Sequence, residues 1–432
     1  MSVVLENSRG WVLDACSLID QSCSRCIRWK DNQKSYVKCC FKWHHFQILK
    51  SHYGEKETAA MDAGDAGTLQ QADKPSKKRK RKRSELNQGE IDSQVFHEKV
   101  RSVILEGTKS LVEPAQACGY LNRVTDTVKD PLPSHECRLA ALCDMAKELP
   151  LGEHLEQEEH AQVLVAKDGS ASHVDLFSRV TESRTDCATV VTLMGEEYVI
   201  PAHASFLLSD FTQIQPLVLY EKKFDLIVMD PPWQNKSVKR SRRYSSLPSS
   251  QLKRLPIPLL ASPSCLVVTW VTNRPSHRRF VRDELYPHWG VQVVAEWFWV
   301  KVTKSGEFVF PLDSPHKKPY EVLVLGRCRP SADNSTSSSE APVEDQRLIV
   351  SVPSALHSQK PPLAEVLKSY VGAEAECLEL FARSLQPGWT SWGNEVLKFQ
   401  HVSYFTVAPV DDPADKAAAA AASSSSGGSS PA

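Results

Sequence analysis

The sequence predicts an α/β fold: a sheet covered by helices on both faces, preceded by a smaller helical or mixed domain. Three observations carry this. After Pro201, short runs rich in Val, Ile and aromatics recur at 224–229, 265–271, 291–300, 320–325, 348–352 and 377–381. These runs are continuously apolar rather than alternating, as strands buried on both faces are. Amphipathic patterns at 277–286 and 363–371 supply helices between them. At 432 residues the chain also exceeds the usual size of one domain, so two or three units are expected.

Element by element, residues 1–83 mix short apolar pieces with polar, Ala/Gly-rich stretches and are expected to be low in order. Cys23-x-x-Cys26, followed by Cys39, Cys40, His44 and His45, invites a zinc reading. The adjacent pairs lack the spacing of a second ligand pair, so ordinary thiols and no metal are expected. From 84 to 200 the pattern turns helical or mixed. Val95, Val100, Val103, Ile104 and Leu111 form one apolar stripe, and Leu139 to Leu149 forms another. Val190 to Met194 and Tyr198 to Ile200 flank Gly195-Glu196 as a hairpin. The span 201–407 is the expected catalytic domain, with 331–346 a Ser-rich mobile insertion and 408–432 a disordered Ala/Ser-rich tail.

Charge narrows the partners. Lys+Arg and Asp+Glu are equal at 52 each, but residues 77–83 read K-K-R-K-R-K-R. The rest of the chain, 45 basic against 52 acidic, is mildly acidic, so a polyanion must be held by a local patch. The run fits a nuclear import signal better than a nucleic-acid tail, and the nucleus is the expected location. Apolar stretches such as Cys265 to Val271 are too short to span a bilayer, and the first twenty residues lack the basic start of a secretory signal. Twelve cysteines without a framework spacing fit a reduced compartment.

The chemistry is concentrated at one corner. Phe224 to Met229 is a buried-strand pattern, and Asp230-Pro231-Pro232-Trp233 follows it at once. In open α/β sheets, ligands sit beyond the carboxyl ends of strands. Two prolines fix φ and remove two backbone donors, leaving carbonyls to accept. One carboxylate, those carbonyls and an indole suit a planar ring bearing an exocyclic amino group. Hydrogen bonds from that group to Asp230 and the Pro231 carbonyl free its lone pair for attack, and positioning makes the step unimolecular. The plainer reading is a strand-ending turn with Trp233 as a lid.

With these four residues stand the strings Gln234 to Arg240, Val268 to Arg274, Glu379 to Arg383 and Trp392 to Glu395. Together they resemble the eukaryotic Asp-Pro-Pro-Trp adenine-N6 methyltransferases, the branch containing the messenger-RNA adenosine methyltransferases. The resemblance covers about 201–407 and is weak over 1–200 apart from the basic run. It implies a Rossmann-like sheet, S-adenosylmethionine as cofactor and Asp230, Pro231, Pro232 and Trp233 as the catalytic corner. The later motif, Leu378 to Arg383, departs from the family's glycine-rich form, with Ala382 and Arg383 where glycines are expected. The resemblance places Arg383 and Asn394 at the ribose hydroxyls, with Glu395 and Gln386 beside them. Asp210 and Phe211 correspond to the contacts of the cofactor adenine, and Lys360 to the partner of its carboxylate.

Lys236, Lys239, Arg240, Arg242, Arg243 and Tyr244 follow the corner directly and are the expected nucleic-acid contacts, with Arg278, Arg279, His316, Lys317 and Lys318 as possible extensions. A solvated charged loop is the plainer reading. A target base must be unpaired or flipped to reach a recessed corner. The resemblance favours RNA over DNA, with an adenosine of small nuclear RNA already 2′-O-methylated as the implied target. A DNA adenine-N6 methyltransferase is the nearest rival reading and a non-catalytic nucleic-acid-binding scaffold of the same fold the second; the presence of Asp230 to Trp233, Lys360, Arg383 and Asn394 argues against the scaffold. Relatives work alone or as heterodimers, and the sequence leaves both states open.

Overall fold

The structure is a computed structural model, and it describes residues 2–30, 33–48, 88–122, 161–164, 174–234, 247–314, 317–329 and 341–410. The expected second stripe at Leu139 to Leu149, the basic run 77–83 and the tail from 411 lie outside the described residues.

The chain opens with β1 (Val3–Asn7), β2 (Gly10–Leu13), α1 (Ala15–Cys23), β3 (Cys26–Lys30) and β4 (Gln33–Phe41). A long helix, α2 (Gln88–Ala117), comes next, then β5 (Ala161–Val163), β6 (Val180–Glu182), β7 (Ala188–Leu193), β8 (Glu196–Ile200) and β9 (Ser205–Leu207). The expected catalytic span holds β10 (Phe224–Met229), β11 (Ala261–Val271), β12 (Val291–Lys301), β13 (Tyr320–Cys328), β14 (Leu348–Ser351), β15 (Cys377–Leu380), β16 (Trp389–Trp392) and β17 (Phe405–Pro409). Every strand expected after Pro201 is present, as are helical turns over 275–288 and 364–370. No helix among the described residues is long and apolar enough to cross a membrane.

Twelve strands form one mixed sheet in the order β1-β2-β14-β12-β13-β11-β10-β15-β16-β9-β6-β5. Its centre, β11-β10-β15-β16-β9, is parallel. From β10 the chain moves to β11 on one side, and it returns as β15 on the other. That reversal opens a crevice at the carboxyl ends of β10 and β15, where ligands of such sheets bind. Apolar clusters cover both faces, one around Ile227, Val267 and Leu378, the other around Val228, Val268 and Trp297. The α/β expectation is met.

The expected domain boundaries are not. Residues 3–30 and 33–46 are folded rather than low in order: β1 and β2 extend the main sheet through β14, while β3 and β4 enter a second sheet, β17-β4-β3-β7-β8. The described residues of 84–200 form no separate domain either, because β7 pairs with β3, and β5 and β6 continue the main sheet past β9. The physical reason is burial. Each of these pieces is too short to cover an apolar face alone and must borrow a sheet from elsewhere in the chain. The hairpin expected near Gly195 is correct; Met194 and Gly195 take φ of 51° and 83°, the double left-handed turn that matches strand twist. Val100, Ile104 and Leu111 of the helical stripe are buried on α2, whereas Val95 points outward. Residues 343–346, expected in a mobile insertion, are anchored: the Trp297 indole donates to the Glu344 carbonyl at 2.7 Å and the Glu296 N–H to Asp345 at 2.8 Å.

Gly10 joins the N-terminal hairpin to β14. Its φ is 147°, and a Cβ there would lie 1.9 Å from the Leu348 carbonyl oxygen. Gly10→Ala is therefore expected to destabilise the protein by about 2–3 kcal/mol through strain and overpacking, seen as a lower urea midpoint with an unchanged slope.

Candidate active site

Asp230 ends β10 at the crevice, and its backbone continues into two prolines that stop the strand. The corner differs from expectation in two respects. The Pro231 carbonyl accepts the Trp233 N–H at 2.8 Å, and the Pro232 carbonyl accepts the Leu247 N–H at 3.0 Å, so both already carry one hydrogen bond. Trp233 is 5% exposed, donates its indole N–H to the Trp270 carbonyl at 2.9 Å and stacks on His277 at 4.7 Å. The indole is thus a packed wall rather than an open platform. The apolar neighbourhood that drew it inward also pushes the His277 imidazole down to about 4, burial acting first and Arg274 second, and keeps that ring neutral.

Around Asp230 runs a row of alternating charges. Its carboxylate meets Arg383 at 2.9 Å and, more distantly, Lys360 at 3.9 Å. Arg383 reaches Glu395 at 3.2 Å, and Glu395 reaches Lys398 at 2.7 Å. On the other side Lys360 pairs with Glu321, which also takes Lys301 at 2.5 Å. Lys360 lies over the Trp270 and Trp299 rings as well, 5.1 and 5.6 Å from their centroids. Four cations and three carboxylates leave the row one positive charge in excess. Burial works against every charge here, yet the partners prevail. Glu321 would be raised by burial but is held at about 2 by Lys360 and Lys301, and Glu395 is lowered by Lys398 and Arg383. Lys360 is raised by Asp230 and Glu321 despite its burial, so it stays charged.

Two cavities meet at Phe381 and Arg383. The larger, about 200 Å³, is lined by Asp210, Phe211, Pro232, Asn394 and Glu395. The smaller, about 20 Å³, runs between Asp230, Lys360, Pro361 and Glu379. Phe211 and Phe381 stack face to face with centroids 6.2 Å apart. Phe381 takes φ of 59°, a conformation costly for a bulky residue, directly before Ala382 and Arg383, where glycines were expected in this motif. The turn after β15 is thus made without glycine, by holding an aromatic residue in a left-handed conformation. Asp210 accepts from the Thr212 backbone N–H and hydroxyl at 3.1 and 2.9 Å, which fixes its carboxylate at the cavity edge.

The structure therefore brings Asp210, Phe211, Asp230, Lys360, Arg383, Asn394 and Glu395 to one crevice, with Gln386 lining the smaller cavity. Lys236, Lys239, Arg240, Arg242, Arg243 and Tyr244 lie outside the described residues, and so does His316. Arg278 and Arg279 are not open phosphate contacts: Arg278 pairs with Glu296 at 2.7 Å and covers Phe96, and Arg279 pairs with Asp92 at 2.6 Å. They pin α2 to the body. Lys317 lies over the Phe310 ring at 5.2 Å, and Lys318 donates to the Leu312 carbonyl at 3.4 Å.

Sequence reasoning missed Glu321, Lys301, Lys398 and Glu379. The signal was available for two of them, since a carboxylate inside a buried strand demands a partner. Glu379 accepts from the Gln386 amide at 3.2 Å, and burial, then Asp230, push its carboxyl up to about 7. Among the described residues no cluster of His, Cys, Asp and Glu could hold a metal ion, and Cys23, Cys26 and Cys39 are buried in an apolar cluster.

Comparison with known proteins agrees with this geometry. The MT-A70 family model matches residues 224–395, the span from β10 to Glu395. The chain is 55% identical over 337 residues to the human N(6)-adenine-specific methyltransferase METTL4, covering 76% of this chain and 71% of that protein. It is 34% identical over 227 residues to the N6-methyladenosine RNA methyltransferase MTA1 of Pyricularia oryzae, covering 50% of this chain and 59% of the relative. A DNA N6-methyl methyltransferase of Caenorhabditis elegans is 36% identical over 217 residues, 49% of this chain and 56% of that one. Identity of this depth, spanning most of both chains and enclosing the Asp230 corner, means that this chain belongs to the MT-A70 family and is an adenine-N6 methyltransferase.

Proposed function

We propose that this enzyme uses S-adenosylmethionine to methylate N6 of an adenosine in RNA, an adenosine of small nuclear RNA that is already 2′-O-methylated being the preferred target. The observation that carries the reading is the place of Asp230: at the sheet's reversal point, between Arg383 and Lys360, lining the smaller cavity where it meets the larger one at Phe381 and Arg383. The donor set suits the cofactor. Asp210 would accept from an adenine amino group beside the Phe211 and Phe381 rings, Arg383 and Asn394 would hold ribose hydroxyls, and the charged Lys360 would hold a carboxylate. Bound there, S-adenosylmethionine supplies an electrophilic methyl carbon.

The chain's own residues then do three things. Asp230 accepts a hydrogen bond from the target N6 amino group, favouring the pyramidal nitrogen whose lone pair attacks. Arg383 and Lys360 hold that carboxylate in position. Trp233, locked by Trp270 and His277, fixes the wall against which Pro231 and Pro232 hold the base. Asp230 or solvent would take the proton that the amino group gives up when it accepts the methyl group. The crevice is recessed, so the base must be unpaired or flipped. The preference for RNA draws support from the RNA-methylating relative and from the motif resemblance, and the basic run 77–83 supports a nuclear location.

Methyl incorporation into matched RNA and DNA oligonucleotides tests the substrate. RNA is expected to be favoured, and turnover on DNA alone overturns that preference; Asp230→Ala is expected to lower the rate on RNA at least about a hundredfold while the fold persists. Glu379 makes a pH prediction. Its carboxyl is held at about 7 in the fold against 4.5 ordinarily, so the native state binds a proton there that the unfolded chain has lost. Stability from this site falls as pH rises across that window. Glu379→Gln should therefore gain thermal stability over the parent progressively from pH 5 to 8, and a constant difference refutes this. Deleting 77–83 is expected to move a fluorescent fusion from nucleus to cytoplasm.

A further inference from the structure

The second sheet has one face on the core and one partly open. Cys26, Val37, Cys39, Phe41 and Val190 point inward to the core. On the other face the β7–β8 end is covered, with Val191, Tyr198 and Ile200 packed against Phe206 and Leu397. The β3–β4–β17 end is not. Lys34, Lys38, Thr406 and Ala408 are exposed there, and Trp29 and Tyr36 are half-buried. Register sets them side by side: Trp29 opposite Lys34, Tyr36 opposite Ile27, Lys38 opposite Ala408.

Chemistry at this face is one-sided. The Arg25 guanidinium and the Lys34 ammonium each lie 5.1 Å from the centroid of the Tyr36 ring. Arg28, on the core side, is neutralised by Glu197 at 2.5 Å, but Arg25, Lys34 and Lys38 have no carboxylate ion-pair partner among the described residues. Asp20, whose carboxyl feels Lys38, is occupied by the Phe41 N–H at 2.6 Å. Residues 24–43 carry six Lys and Arg against one acid, Asp31, in a chain of zero net charge. Exposed cations fit phosphates, and half-open aromatic faces fit unpaired bases, the pairing that single-strand binders use. A duplex would use the cations alone, and an acidic peptide would leave the rings idle. On the sheet's covered side, helix α1 packs on β4 and shares a cavity of about 260 Å³ with Gln359 and Lys360, so the sheet as a whole stands beside the crevice.

We propose that the open β3–β4–β17 face is an accessory platform for single-stranded nucleic acid, holding the part of the substrate that extends beyond the methylation crevice. The proposal rests on nucleic acid being the substrate, and its test is independent of the catalytic assignment.

Fluorescence anisotropy on the full chain, with a single-stranded RNA of roughly 20 nucleotides and its duplex, provides that test. Reversing charge at Arg25→Glu, Lys34→Glu and Lys38→Glu together is expected to weaken single-strand binding at least about tenfold. It should also flatten the dependence of log Kd on log salt by about two. Tyr36→Ala is expected to weaken the single strand at least about fivefold while leaving the salt slope and duplex binding unchanged. Cofactor affinity by calorimetry, and methyl transfer to a short oligonucleotide ending beside the target base, should match the parent in both variants. Unchanged RNA affinity in both variants overturns the platform. So does a loss in the charge-reversal variant that is matched by an equal loss for polyglutamate while Tyr36→Ala has no effect, since the face then belongs to an acidic protein.

Discussion

The site depends on one constraint: a row of buried and half-buried charges that must alternate in sign to exist at all. Any one of Lys301, Glu321, Lys360, Asp230, Arg383, Glu395 or Lys398 left alone in this environment would face a desolvation penalty of several kcal/mol. Together they satisfy one another, and strands fix part of the row while Lys360, Arg383, Glu395 and Lys398 come from the turns beside them. Glu321 and Lys301 come from the rigid β12–β13 ladder, Asp230 from the end of β10. The row delivers a carboxylate of fixed position to the crevice, with a cation on either side. A ligand entering between Asp230 and Lys360 meets partners already oriented, so little reorganisation opposes binding.

The sheet explains why the row lies where it does. β10 sits between β11 and β15, both parallel to it, so three loops leave the same edge. Hydrogen bonds across β15 and β16 then bring the Phe381–Arg383 turn against Asn394 and Glu395; the Ala382 N–H donates to the Trp392 carbonyl at 2.9 Å. The polar ends of four strands thus converge on one cleft, and the apolar bodies of those strands hold them there.

Much of this was legible in the letters. Continuous apolar runs bounded by Pro and charged residues marked each central strand to within a few residues, because burial on both faces leaves no polar alternation to confuse the reading. Asp230 to Trp233 marked the site because a carboxylate and two prolines directly after such a run have few structural uses. The N-terminal strands were not legible. β2 has four residues and β3 five, and beyond a local hairpin partner each pairs with a strand more than 150 residues away, Gly10 with Leu348 and Cys26 with Ala188. Local pattern cannot announce a distant pairing. The inward turn of Trp233 was hidden for a related reason: it depends on His277 and on the Trp270 carbonyl, which only the folded sheet brings near.

The closing of the second sheet by β17 has a bearing on synthesis. β4 leaves the ribosome roughly 360 residues before the strand that pairs with it, which at about 5–20 residues per second is a wait of roughly 20–70 s. Through that interval the nascent chain carries an unpaired β4 edge, and β2 waits likewise for β14. Such edges invite wrong partners. The many lysines and arginines flanking β4 repel like segments on neighbouring polysomes, so the same charges guard the strand before its sheet is complete.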